Sequence, residues 1–398
     1  MLRTMSCSSL RPITQVYPSS LMESIQNRNE RLLIAMVGLP ARGKSYISRK
    51  LCRYLTWLGF STKSFNIGSI RRSRLGPETS LFFDPDNPSG VEQRNLIANE
   101  VLGDLLNFLA LPSSQIGIFD GTNVTRERQE RILSMARECG KKTGLSLKVV
   151  FLEVICTDEK IIEENIKETK LTSPDYAKMN PEEAVADFRK RIAHYEREYA
   201  TLSNSDWTYI KLFDYGRQVI VNRSEGYILG RIVFFLMHLR GNKQPIFFTR
   251  HGESEYNVED KIGGDSPLST RGKEYAAELA KFVLSCEETK HGLKIWCSTL
   301  KRTLETASYI SLPDDTEAIP WRALSEIEVG TCDGMTYKEI EHMYPEEFAA
   351  RSKDKLRYRY PRGESYFDVI QRLEPVIFEL ERATTPILVV SFVRIGLI

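Results

Sequence analysis

Apolar and polar positions follow one another along this chain in blocks that read as an α/β protein. Residues 32–37 (LLIAMV) form an apolar run closed by Gly38, the pattern of a short strand buried on both faces. Residues 45–58 then carry apolar positions at helical spacing and stop at Gly59. Further apolar runs at 116–119, 148–155 and 209–213 predict strands, with helix-like stretches between them. Such alternation builds a parallel sheet covered by helices on both faces. The segment 241–245 (GNKQP) places Gly, Asn and Pro after a long helical stretch, so a domain boundary is expected there. Beyond it the alternation restarts, with strand 246–249, helix 270–284, strand 294–297, helix 299–310 and a last strand 387–390. The expected organisation is a disordered or regulatory tail over 1–30, a first domain over 31–240 and a second over 245–398.

Length changes this picture little: 398 residues suggest two or three domains at about 150 residues each. A hydrophobic fraction of 41% with 27% charged residues is ordinary for globular protein and excludes a fibre or a largely disordered chain. The net charge of +2 gives no global reason to expect nucleic acid or a membrane as partner. Apolar runs near 32–39 and 227–239 are too short to cross a bilayer. Seven scattered cysteines, without a C-x-x-C pair or metal-ligand spacing, point to a reducing compartment, hence the cytoplasm. Residues 1–22 are Ser-rich, carry Arg3 and Arg11 and lack acids, as transit peptides do, but show no amphipathic helix pattern.

Chemistry enters at Gly38-Leu39-Pro40-Ala41-Arg42-Gly43-Lys44-Ser45, which fits G-x-x-x-x-G-K-[ST] between a predicted strand and a predicted helix. Glycines let backbone N–H groups turn inward around phosphates, and the helix start adds the positive end of its dipole. Lys44 is then placed for the terminal phosphates of a nucleotide and the Ser45 hydroxyl for Mg²⁺. The strand 116–119 ends in Asp120, a candidate for Mg²⁺ contact or for accepting the proton of an attacking hydroxyl. Arginines are dense nearby: Arg71, Arg72, Arg74, Arg94 (expected to open a helix), Arg126, Arg128, Arg131, Arg189 and Arg191. An enzyme acting on a phosphorylated acceptor needs some of them for a second dianion. Which of them converge is open at this level.

A second constellation follows strand 246–249, where Arg250-His251-Gly252-Glu253 stands at a strand's carboxyl end, the place where α/β sheets bind ligands. An imidazole there can take a phosphoryl group covalently, with a guanidinium stabilising the equatorial oxygens. Arg302, after strand 294–297, enters a helix from the same kind of position. Glu326 fits a proton donor to the leaving alkoxide if burial raises its pKa.

Taken in this order, the two constellations closely resemble the bifunctional 6-phosphofructo-2-kinase/fructose-2,6-bisphosphatase family. The resemblance runs through GLPARGKSYIS, FDGTNVTRER, SPDY, RHGESEYN, IGGDS, LSTRGK, YPEEF and YPRGESY, over roughly 31–390. It implies a P-loop kinase domain followed by a phosphoglycerate-mutase-like histidine phosphatase domain that looks incomplete. It implies ATP-dependent phosphorylation of fructose 6-phosphate at the 2-hydroxyl, hydrolysis of fructose 2,6-bisphosphate at the same position, and a homodimer. By motif, Gly38, Gly43, Lys44, Ser45, Tyr46, Asn165 and Lys170 would hold ATP, with Ser45 and Asp120 on Mg²⁺. Arg71, Arg94, Thr122, Arg128, Lys170, Arg191 and Tyr195 would hold fructose 6-phosphate. Cys156, in VICTD, falls at the family's active-site cysteine, whereas its setting reads as a buried strand-end thiol. In the second domain His251 would carry the phosphoryl group beside Arg250, Asn257 and Arg302, with Glu326 as acid. Gly263, Tyr337, Arg351, Lys355 and Tyr366 would contact fructose 2,6-bisphosphate.

The end departs from the family pattern. After the last strand the family carries a His-Gln pair, whereas here Ser391 is followed by Phe392 and VRIGLI. Three expectations remain open from sequence: a kinase with an impaired bisphosphatase, a fully bifunctional enzyme, and a non-catalytic binding or dimerising protein.

Overall fold

The computed structural model describes residues 30–241, 244–289, 292–311 and 317–391. The expected tail up to residue 29, Phe392 and the side chain of Lys170 lie outside the described residues. The chain packs as two compact units, one reaching Asp214 and including Val219–Leu229, the other comprising Tyr215–Gln218 and the chain from Gly230 onward.

In the first unit a parallel sheet is built from β1 (Glu30–Val37), β2 (Thr62–Asn66), β3 (Ile116–Asp120), β4 (Ser146–Ile155) and β5 (Tyr209–Phe213), with β6 (Gln218–Asn222) at one edge, in the order β2-β3-β1-β4-β5-β6. The helices are α1 (Lys44–Trp57), α2 (Ile67–Leu75), α3 (Pro88–Ala110), α4 (Arg126–Thr143) and α5 (Pro181–Arg197). β1 is buried from Arg31 to Val37, which is why its apolar run carries no alternation. One face of the sheet packs Leu33, Ala35, Val37, Phe119 and Phe151 against Leu102 and Leu105 of α3. Fully burying each such phenylalanine contributes about 1.5–3 kcal/mol. Asn87 caps α3 by accepting from the Gly90 N–H, with Pro88 at the first turn. Arg94 therefore sits in the second turn of α3 rather than opening it, because the cap lies seven residues upstream. The register pairs Asn66 with Asp120, so β2 and β3 end side by side at the carboxyl edge, next to the loop that leaves β1.

The second unit holds α6 (Tyr227–His238), whose Phe234, Phe235 and His238 rings pack around Phe378. By packing, α6 thus goes largely with the second unit, ahead of the break expected at 241–245; an apolar helix reads alike whichever core it serves. Its sheet has four parallel strands, β7 (Ile246–Thr249), β8 (Lys294–Cys297), β9 (Ile319–Pro320) and β10 (Ile387–Val390), in the order β7-β10-β8-β9. Helices α7 (Thr270–Ser285), α8 (Lys301–Ser308) and α9 (Tyr366–Glu381) flank it. Ala280 and Val283 of α7 pack on Ile295, Cys297, Leu388 and Val390. Both units are α/β with parallel sheets. Among the described residues no helix is long and apolar enough to cross a membrane.

Candidate active sites

The loop 38–43 turns sharply between β1 and α1. Gly38 has φ +133°, and a Cβ there would lie 2.5 Å from the Val154 carbonyl oxygen; Gly43, at φ +86°, caps α1. Only glycine fits both the backbone and the space at position 38. The Gly38 N–H donates to the Thr122 carbonyl at 2.9 Å, tying the phosphate loop to the segment after β3. Lys44 is buried, and its Nζ donates to the Leu39 carbonyl. Asp120 is buried at the end of β3. Asn66 Nδ2 donates to Asp120 Oδ2 at 2.5 Å and to Ser45 Oγ at 3.4 Å, so the two oxygen donors approach a common point. Hydroxyl and carboxylate oxygens are hard ligands that suit Mg²⁺, which commonly completes its shell with substrate phosphates and water. No group of three or more His, Cys, Asp or Glu able to hold a metal occurs among the described residues.

A cavity of about 340 Å³ opens beside this point. Gly43, Lys44, Ser45, Tyr46, Asp120 and Asn165 line it together with Arg71, Arg94, Thr122, Arg128, Arg191 and Tyr195. Arg71 is buried and forks onto Asp175 at 2.8 and 2.5 Å, while Arg191 and Arg72 approach the same carboxylate at 3.5 and 3.9 Å. Burial pushes the Asp175 carboxyl up, but the Arg71 hydrogen bonds, the Arg71 and Arg191 charges and the Glu78 N–H outweigh it and hold the group below the usual carboxylate range. Arg128 donates to the neutral Asn95 side chain, and burial holds its guanidinium below its ordinary value. Arg94 donates to the Phe82 carbonyl at 2.5 Å. Arg74, Arg126 and Arg189 instead pair with Glu100, Glu130 and Glu163 on the surface. Asn165 Nδ2 donates to the Ala41 carbonyl at 3.0 Å, pinning the 159–170 segment to the phosphate loop. That segment then widens, the Leu171 N–H reaching the Ile166 carbonyl, a local device frequent at functional sites.

Cys156 is placed differently. Its buried thiol packs with Ala41, Ile162, Ile166, Tyr176 and Phe188 and is not among the residues lining the cavity. Burial raises its pKa, the reverse of what an activated thiolate needs. The geometry gives this cysteine a packing role.

In the second unit His251 is buried at the end of β7. Its Nδ1 lies 2.6 Å from the Gly252 carbonyl, which can only accept, so Nδ1 carries the proton and Nε2 the lone pair. Burial, with the Arg302 and Arg250 charges, depresses its pKa to about 4 against the smaller opposing effect of the Gly252 bond. The imidazole is therefore neutral at pH 7, as a nucleophile must be. Arg302 is buried in the first turn of α8 and donates to the Gly264 carbonyl at 2.9 Å and to Glu326 Oε2 at 2.7 Å. Burial raises the Glu326 pKa although Arg302 and Arg250 oppose it. At Gly263, φ +74°, a Cβ would fall 2.0 Å from Asp333 Oδ1. Arg250 is exposed at the strand end.

The remaining residues are less convergent. Asn257 accepts from the Ser254 N–H through Oδ1 at 3.1 Å in a capping box, so that oxygen holds a helix start. Arg351 donates to the Tyr337 hydroxyl at 3.0 Å and lies over the Tyr337 and Tyr360 rings. Lys355 and Tyr366 are exposed. Sequence reasoning passed over Asn66 and Asp175. A capping signal, Asn66 before a helix with Ser69 at its third position, marked the first; the second stood within SPDY without any local pattern that bespeaks an arginine clamp.

Residues 20–243 match the family model described as 6-phosphofructo-2-kinase, and residues 246–395 match the histidine phosphatase superfamily (branch 1). The human 6-phosphofructo-2-kinase/fructose-2,6-bisphosphatase 1 is 48% identical over 360 residues, covering 90% of this chain and 74% of the human one. An Arabidopsis thaliana 6-phosphofructo-2-kinase/fructose-2,6-bisphosphatase is 48% identical over 370 residues, covering 91% of this chain and 48% of that one. Among solved structures, Bacillus stearothermophilus YhfR is similar over 37% of this chain and 72% of its own, at 34% identity and a TM-score of 0.33. The two domain matches in this order, with nearly half of all positions shared across nine-tenths of its length, make the chain a member of the 6-phosphofructo-2-kinase/fructose-2,6-bisphosphatase family.

Proposed function

We propose that the domain over 31–240 transfers the terminal phosphoryl group of ATP to the 2-hydroxyl of fructose 6-phosphate, giving fructose 2,6-bisphosphate. The observation that carries this reading is the single cavity that joins Lys44, Ser45 and Asp120 to Arg71, Arg94, Arg128 and Arg191. Phosphoryl transfer asks little covalent chemistry of a protein and a great deal of positioning and charge. The loop 38–43 and the start of α1 cradle the nucleotide phosphates; Lys44 neutralises them; Ser45 and Asp120 hold Mg²⁺. When bound, the cation draws charge from the phosphate oxygens. Arg128, whose hydrogen bond goes to a neutral amide, is the guanidinium readiest to meet the sugar's 6-phosphate, with Arg94, Arg191, Thr122 and Tyr195 around it. Incubation with ATP and fructose 6-phosphate should yield fructose 2,6-bisphosphate, and Lys44→Ala should abolish it; undiminished synthesis in that variant refutes the assignment.

The domain over 245–398 is read as a fructose-2,6-bisphosphatase that attacks through His251 Nε2, with Arg302 and Arg250 on the phosphoryl oxygens and Glu326 protonating the departing 2-oxygen. Its turnover is reduced, because Phe392 stands where the resembling family has a second histidine on the transferred phosphate. A homodimeric state and a cytoplasmic setting belong to the same reading.

A further inference from the structure

We propose that Asn66 is the positioning residue of the magnesium site, acting on the cation through Asp120 and Ser45 rather than as a ligand; this rests on the Mg²⁺–nucleotide reading above. Its place follows from the sheet: Asn66 is the last residue of β2 and the register partner of Asp120 at the end of β3. Its two side-chain ends have separate tasks. Oδ1 accepts from the Ser69 N–H at 2.7 Å and caps α2. A carbonyl oxygen suits that bond and an amide nitrogen does not, so the cap fixes which way the carboxamide faces. Nδ2 is thereby turned towards the metal-side oxygens, with one hydrogen for Asp120 Oδ2 at 2.5 Å and one for Ser45 Oγ at 3.4 Å.

Holding one carboxylate oxygen of Asp120 leaves the other for the cation and stops the group from rotating. The same amide keeps the Ser45 hydroxyl oxygen facing the carboxylate. Partners of this kind, which orient ligands without touching the metal, typically carry about 10–100-fold in metal affinity. Asn66 cannot take over as a ligand itself, since its only oxygen is spent on the cap.

The test separates the cap from the bridge. Asn66→Ser keeps a side-chain oxygen able to cap α2 but is too short to reach Asp120 and Ser45; Asn66→Ala loses both. Binding of the non-hydrolysable imido analogue of ATP to the full chain is measured by calorimetry with and without Mg²⁺, alongside thermal unfolding. In the native protein Mg²⁺ should tighten binding. In Asn66→Ser that gain should shrink by about 10–100-fold, while metal-free affinity stays unchanged and the unfolding temperature stays above that of Asn66→Ala, which loses the cap as well. A Ser variant that keeps the full Mg²⁺ gain overturns the proposal, as does one whose metal-free affinity falls equally, since the residue would then shape the phosphate loop and not the cation site. A native protein without any Mg²⁺-linked gain would instead bring down the nucleotide reading itself.

Discussion

Lowering the pH from 7 to 5 should weaken the second domain through His251, and replacing that residue should remove the effect. Its native pKa of about 4 lies well below the 6.5 of an unstructured imidazole. Below pH 6.5 the unfolded chain binds a proton that the native one refuses, so the stability carried by the neutral ring is full above 6.5 and drains as pH falls towards 4. The gap amounts to about 3 kcal/mol at its limit. Since only 4% of the residue is exposed, solvent screening takes little from that figure. At pH 5 the loss is about 2 kcal/mol, against almost nothing at pH 7. Hydrogen exchange of peptides from β7 and β10 reads it, with His251→Asn as reference so that the intrinsic pH dependence of exchange cancels. The native-to-variant protection ratio should fall about twentyfold between pH 7 and 5. A ratio that stays constant, or an NMR titration of His251 with a midpoint near 6.5, would show that the ring is not desolvated as described. Nε2 thereby keeps its lone pair throughout the physiological range, as the proposed attack on phosphorus requires.

Three more outcomes follow. Asp175→Asn leaves the buried Arg71 beside Arg191 and Arg72 without their shared counter-charge, so exchange of β1 amides should quicken by about 10²–10⁴-fold, matching a loss of 3–5 kcal/mol; protection within a few-fold of native would count against the clamp. Cys156→Ala should keep synthesis of fructose 2,6-bisphosphate within tenfold, whereas removing a proton-transfer group typically costs about 10²–10⁴; a loss of that size would restore the cysteine to the mechanism. Phe392→His should raise bisphosphatase turnover by about 10²–10³, the usual worth of one transition-state donor, and equal rates would show that the imidazole is dispensable.

What was legible in the sequence shares one property: the signal lies within a dozen residues. Residues 32–37 announce a doubly covered strand because nothing polar interrupts them, and the loop after them declares its chemistry by glycine spacing. The Arg250-His251 pair is readable for the same reason, standing where an apolar run stops. Arginine convergence was not readable. Arg71 and Asp175 are 104 positions apart, and nothing around either residue distinguishes their pair from the solvent-facing pair of Arg74 and Glu100. Asn66 and Asp120 meet only because β2 and β3 are adjacent in register, a fact of sheet order that no local pattern records. The allegiance of α6 was hidden likewise, since Phe234 and Phe235 would suit either core.

Two arginine–carboxylate pairs in this chain show how surroundings, not residue type, set the chemistry. A buried guanidinium without a partner costs several kcal/mol, so each site needs an internal acid to hold its arginine before an anion arrives. Asp175 gathers two hydrogen bonds from Arg71, a backbone N–H from Glu78 and the charge of Arg191, and is held below the usual carboxylate range. It is a permanent counter-charge and a competitor to any incoming phosphate for Arg71. Glu326 has one arginine hydrogen bond and the repulsion of Asp333, and burial pushes it the other way. Arg128 is bonded to the neutral Asn95 amide and feels the charges of Glu127 and Glu198 without a direct ion pair to either among the described contacts. In the proposed reading Arg71 and Arg191 share one carboxylate between two guanidinium groups, and so keep net positive charge for the acceptor's phosphate beside Arg128.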